Sequence, residues 1–265
     1  MSSDSTKKTL LVALGVCLVC SVLVASTTVS LRARQEANKK IDKLLNILST
    51  ADLSATNVTA EQVFNENIKA ILINIETGAQ VPESEYNDVV NIANYNIKQV
   101  AASPIFGKAI PSDQDIAGIK RMPKYLPIYL VQSADSIEKV ILPIYGKGLW
   151  STMYGFIAIN SDLRVVSGIT FYEHGETPGL GGEIDNPSWK ALWKNKQLFN
   201  ETGRLILKVI KSAVDRSSPE ADYQIDGLSG STLTTKGVDY TIQFWFGEMG
   251  YKTFFEKFKM GEIHG

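Results

Sequence analysis

Asp226-Gly227-Leu228-Ser229-Gly230-Ser231-Thr232-Leu233-Thr234 is dense in glycine and hydroxyl side chains. It stands directly before an apolar pattern of helical period over residues 234–246. The first amides of a helix have no intrahelical acceptor, and the dipole is positive there, so the place favours an anion such as a phosphate. Gly227 and Gly230 permit close approach of a ligand. The plainer reading is a Ser/Gly-rich turn with Thr234 as the helix cap. Two sharper motifs fail. No G-x-x-x-x-G-K-[ST] run is present, and Gly227-x-Ser229-x-Ser231 lacks the closing glycine of a nucleophile elbow. A hydrolase built on Ser229 also needs a base, and His174 has no evident partner in the sequence.

A second run, Glu173-His174-Gly175-Glu176-Thr177-Pro178-Gly179-Leu180-Gly181-Gly182-Glu183, leaves the end of an expected strand. It is not G-x-G-x-x-G and does not open a dinucleotide-binding unit. It reads either as a tight loop where two elements cross, or as a backbone-lined wall for a flat ligand. In the second reading Leu180 gives apolar contact and the glycines allow approach.

Together the two runs carry a resemblance. Asp226 to Thr232 looks like the target of the flavin transferase that attaches FMN to threonine: Asp, two variable residues, Ser or Thr, Gly, Ala, Thr. Glu176-Thr177-Pro178-Gly179-Leu180-Gly181 is similar to the companion motif of the same proteins. With the apolar N-terminal segment, the total length and Gly146-Lys147-Gly148-Leu149-Trp150, the chain resembles the NqrC family, the C-type subunits of Na+-translocating NADH:quinone reductases. The resemblance covers nearly the whole chain and is strongest from residue 140 onward.

That resemblance implies FMN joined through its phosphate to Thr232. Ser229, Gly230, Ser231, Leu233 and Thr234 are then expected at the phosphate end, and Glu176, Thr177, Gly179, Leu180 and Gly181 along the ring. Trp150 is a candidate aromatic contact, with a buried core position as the alternative. Neither a general acid or base nor a metal site is expected. An outside flavin transferase is implied, since nothing nearby activates the threonine hydroxyl. The implied role is electron carriage, with the flavin supplying the redox chemistry. Electrons would pass from NADH towards quinone in a sodium-exporting complex with other subunits. One departure stands out: Ser231 replaces the family's alanine, which suits the same turn and adds a second hydroxyl as a rival attachment point. Two other readings remain open. One is the homologous G-type component of the related Rnf-type electron-transport complex; the other is a membrane-anchored module that binds phosphate or another anion non-covalently.

The elements that must position these residues follow from patterning. The 265 residues carry 27 Lys+Arg and 28 Asp+Glu, a balance that argues against nucleic acid as a partner. Cys17 and Cys20 both fall in the N-terminal apolar stretch, which leaves no disulfide or Cys/His zinc site for the remainder. Residues 9–31 hold no charged side chain and are long enough to cross a bilayer. An uncleaved anchor is expected, with a signal peptide cut near Val24-Ala25-Ser26 as the rival. Basic residues flank both sides, Lys7 and Lys8 before and Arg32 and Arg34 after, so charge does not set orientation. The resemblance implies a single-pass protein of the bacterial inner membrane with its soluble part on the periplasmic side.

Residues 35–50 read as an amphipathic helix continuing from the anchor, and Thr59 with Gln62 as a capping box for a short helix. Strands are expected at 69–76, 139–145, 153–160, 163–173 and 204–211, and helices at 187–194, 234–246 and 253–260. Residues 77–136, broken by Pro82, Pro104, Pro111, Pro123 and Pro127, read as irregular with short helices. The expected class is α+β: one N-terminal transmembrane helix, then a soluble domain with a mainly antiparallel sheet and flanking helices. The expected divisions are 1–34 for tail and anchor, 35–136 for the juxtamembrane helix and first part of the soluble domain, and 137–265 for the FMN-binding domain.

Overall fold

A computed structural model describes residues 5–54, 58–133 and 136–263, which leaves His264 outside. The chain divides into two units, Met1–Lys43 and Leu44–Gly265. The first unit, from Thr6 on, is helical and belongs to α1 (Thr6–Thr50). Its Leu and Val side chains are exposed, among them Leu14, Val22 and Val24. The helix is long and apolar enough to cross a membrane.

The second unit begins with the last turns of α1. Thr59 then caps α2 (Ala60–Asn67) through the expected reciprocal box with Gln62. Next come β1 (Ile68–Asn74), α3 (Ile97–Ala102), β2 (Gly107–Ala109) and β3 (Arg121–Pro123). A meander follows: β4 (Tyr125–Ser133), β5 (Ser136–Lys147), β6 (Thr152–Asn160) and β7 (Val166–Glu173). The remaining elements are α4 (Pro187–Ala191), β8 (Lys208–Val209), β9 (Gln224–Ile225), α5 (Thr232–Trp245) and α6 (Lys252–Lys259).

The main sheet runs β1-β4-β5-β6-β7, antiparallel at each step. Both faces are buried, so alternation sorts side chains between two cores. Leu126, Ile128, Leu130, Val140, Leu142, Met153, Ile157 and Ile169 join α5 and α6 on one face. Tyr129, Val131, Ile141, Phe156 and Ala158 meet Ile47, Leu48 and Val63 on the other. Each buried Val, Leu, Ile, Met or Phe among them contributes about 1.5–3 kcal/mol relative to exposure.

Several expectations need correction. The stretch 77–136 contains β2, β3 and the interior strand β4 of the main sheet. The strand expected from residue 163 starts at 166, because Asp162 Oδ1 accepts from the Arg164 and Val165 amides and Leu163 takes φ 56°. The strand expected over 204–211 shrinks to β8, since the amides of Ile206 and Leu207 turn aside to the Leu198 carbonyl. α4 stops at Ala191. α5 starts two residues earlier than its apolar period suggested, and its N-cap is Ser231 rather than Thr234.

Candidate functional site

β5 and β7 both run antiparallel to β6, so the ends of β5 and β7 and the start of β6 share one end of the sheet. The turn 148–151 and the loop 174–180 emerge there side by side. Helix α5 lies along β5 in the opposite sense. Its fit is backbone-close: a Cβ on Gly237 would stand 2.4 Å from the Lys147 carbonyl oxygen, and one on Gly146 would stand 1.9 Å from Thr241 Oγ1. Trp245 Nε1 donates to the Tyr145 carbonyl at 2.8 Å. This path brings the first turn of α5 to the same turn and loop.

The three segments enclose a cleft of about 340 Å³. Leu149, Trp150, Leu180 and Leu233 give it exposed apolar side chains. Glu176, Thr177 and Gly181 line it from the loop, and Gly230, Ser231, Thr232 and Thr234 from the start of α5. Gly230 takes φ +70°, a conformation that favours glycine, and a Cβ there would press Leu180 Cδ2 at 3.1 Å.

Glu176 joins the walls. The residue is 5 % exposed. Oε1 accepts from the amides of Trp150 at 2.9 Å and Ser151 at 3.2 Å, and Oε2 from Leu149 at 3.0 Å. Thr234, fully buried, donates its hydroxyl to Oε2 at 2.5 Å and accepts from Ser231 Oγ at 2.9 Å. Burial by itself pushes the Glu176 pKa up. The Thr234 hydroxyl and the three amides outweigh it and hold the carboxyl below the ordinary glutamate value.

Thr232 is exposed at the first position of α5. Ser231 caps no amide with its side chain, and Thr235 is the first residue of the helix whose amide reaches back, to Ser231 O at 3.0 Å. The amides of Thr232, Leu233 and Thr234 therefore lack an acceptor from the described residues and can serve an anion at Thr232.

The remaining sequence candidates are placed as follows. Ser229 is exposed and does not line the cleft. Gly179 sits at the loop tip with φ +76° and also stays out of the lining. Trp150 is exposed, not core. Ser231 is buried and its hydroxyl is engaged, which leaves Thr232 as the accessible one. Leu149 was not singled out, although its turn was; an apolar residue between Gly148 and Trp150 was the available signal. His174 does have a partner, Asp185 Oδ2 at 2.7 Å from Nε2, while Nδ1 accepts from the Glu176 amide at 3.1 Å. Both ring nitrogens are thus occupied, and none remains for Ser229. Asp226 anchors the entry to the site: it accepts from Arg216 and from the Val214 amide, each at 2.7 Å.

The FMN-binding domain family matches residues 148–247, a stretch that contains the turn, the loop and α5. The chain is 43 % identical over 264 residues to the C-type subunit of the Na(+)-translocating NADH-quinone reductase of Pseudomonas aeruginosa, covering 98 % of this chain and 99 % of that protein. The subunit of the same name from Vibrio parahaemolyticus is 41 % identical over 263 residues, with 99 % of each covered. Among solved structures, Shewanella oneidensis NqrC superposes with a TM-score of 0.75 at 32 % identity, covering 84 % of this chain and 99 % of that one. The corresponding subunit from Parabacteroides distasonis gives 0.62 at 28 % identity, with 85 % and 96 % covered.

Proposed function

Because the chain belongs to the NqrC family of Na+-translocating NADH-quinone reductase subunits, we propose that it carries FMN covalently on Thr232. In this role it relays electrons from NADH towards quinone. The observation that supports the reading is the meeting of three features in one cleft: an exposed threonine hydroxyl, amides without acceptors, and an apolar rim. The residues fit the cofactor. A phosphodiester at Thr232 would face the start of α5, whose amides and dipole favour its negative charge. A flat ring would lie against Leu149, Trp150 and Leu180, with Gly230 and Gly181 leaving it room. The flavin supplies the electron-transfer chemistry when bound.

The chain's own part is to hold and orient. Ser231 and Thr234 brace the first turn of α5, and Glu176 keeps the turn 148–151 closed against it. None of these side chains can act as a base on Thr232, so attachment falls to a flavin transferase. In that step Thr232 Oγ bonds to the FMN phosphorus of flavin adenine dinucleotide. The bond to the adenylate breaks, adenosine monophosphate leaves, and the hydroxyl proton passes to a base of the transferase.

The partners are the other subunits of the complex, which would bind NADH and quinone. α1 would anchor the chain in the bacterial inner membrane with the soluble unit on the periplasmic side, where a covalent bond keeps the flavin from diffusing away. The test is the mass of the denatured full-length chain made with a flavin transferase, followed by peptide mapping. A gain of one FMN less one water on Thr232, absent in Thr232→Ala, is expected. An unmodified chain, or flavin retained in Thr232→Ala, refutes the assignment and leaves non-covalent anion binding.

A further inference from the structure

The Glu176 carboxylate has a feature that clamping alone does not require. Its four hydrogen-bond donors, the amides of Leu149, Trp150 and Ser151 and the hydroxyl of Thr234, are all neutral. No Lys or Arg among the described residues forms an ion pair with it. Lys147, in the strand leading to the same turn, is exposed and donates instead to the Trp150 carbonyl at 3.2 Å, so water and salt screen its charge. Room for the carboxylate is cleared by two glycines: a Cβ on Gly148 would stand 2.5 Å from Oε1, and one on Gly181 would stand 3.0 Å from Oε2. Among the described residues, the cleft wall therefore holds an anion that no cationic side chain pairs with.

We propose that Glu176 acts on the bound ring as a fixed negative charge that lowers its midpoint potential. The inference rests on FMN being held at Thr232. The physics is direct: adding an electron beside a buried anion is disfavoured, and in a water-poor wall the effect is larger than in bulk water. Lowering of the Glu176 pKa by its hydrogen bonds keeps the charge present through the neutral range.

A purely structural clamp and a fixed charge predict different signs. Glu176→Gln removes the charge and loosens the clamp. Thr234→Val removes a donor to the same carboxylate, so it loosens the clamp but leaves the charge less shielded. The experiment is a spectroelectrochemical titration at pH 8 of the full-length flavin-bearing chain in detergent, as wild type and both variants, after the mass at Thr232 is checked. The expected result is a higher potential in Glu176→Gln and a lower one in Thr234→Val. Shifts of the same sign, or no shift in Glu176→Gln, overturn the inference and leave the FMN assignment intact. A wild-type chain without the mass gain refutes that assignment, and the inference falls with it. Where Glu176→Gln takes up no flavin, Thr234→Val decides: a fall supports the inference, and a rise or no change overturns it.

Discussion

Replacing Gly181 by alanine tests the site where the segment after β7 packs against α5. The new Cβ would stand 2.4 Å from Thr234 Oγ1 and 3.1 Å from Glu176 Cβ. Ordinary contact begins near 3.4 Å, so roughly 1 Å of room is missing. Thr234 is fully buried on a helix and cannot move outward. Turning it about χ1 clears the clash only by giving up Glu176 Oε2 and Ser231 Oγ. Losing a hydrogen bond to a charged acceptor costs about 1.5–3 kcal/mol, and overpacking a further 1–3 or so, which together give roughly 2.5–6 kcal/mol. Against a typical stability of about 5–15 kcal/mol this is a severe loss. Gly179 is the control from the same loop. Nothing lies within 4 Å of its Cβ position, so Gly179→Ala carries only the left-handed backbone cost of about 1–2 kcal/mol. Urea unfolding of the full-length chain, followed by tryptophan fluorescence, reads both; Trp189, Trp193 and Trp245 are buried reporters. Gly181→Ala losing no more than Gly179→Ala, at equal slope, would refute the packing of the loop against Thr234.

Ser231→Ala should keep the modification on Thr232 and lose about 0.5–1.5 kcal/mol for the bond to Thr234; disappearance of the mass gain would count against Thr232 as the accessible hydroxyl. Trp150→Ala should leave stability within about 0.5 kcal/mol of wild type while changing the absorption spectrum of bound flavin; an unchanged spectrum would remove the ring from that wall. Glu176 has a folded pKa below its unfolded one, since its hydrogen bonds outweigh the opposing effect of burial. Its stabilisation is therefore present above the unfolded value and lost as pH falls through the folded one. In unfolding midpoints taken across that acid range, Glu176→Gln should flatten the decline, and an identical acid limb would contradict the ionised clamp.

Much of the fold was legible where one cause acts alone. The β5–β6–β7 meander shows itself by alternation on either side of a turn at Asn160-Ser161-Asp162, although β7 starts three residues later than read, and α2 by its capping box. β4 was hidden by Pro127, which reads as a break. The strand tolerates it because its ladder with β5 runs only from Tyr129↔Ile141 onward, beyond the prolines at 127 and 143. The Pro143 carbonyl is then free to accept from the Tyr251 hydroxyl. In the site, the glycine and hydroxyl runs marked both walls, since their spacing reflects close approach. The role of Glu176 was not legible, because it depends on three amides of a turn some 25 residues away in the chain. The helix start was misjudged because Thr234 turns its hydroxyl inward to Glu176 instead of capping.

The last turns of α1 also bear on where the chain can be severed. Ile47 and Leu48 cover one face of the sheet, and Gly168 has no room for a Cβ, which would stand 2.4 Å from the Thr50 carbonyl oxygen. Lys139 donates to the Ala51 carbonyl at 2.7 Å. A water-soluble fragment cut after Thr50 would expose Tyr129, Ile141 and Phe156 as a greasy, sticky face. A cut between Lys43 and Leu44 removes the apolar segment and spares that lid. The apolar segment and the cover of the sheet thus belong to one helix, and a fragment beginning at Leu44 keeps the cover.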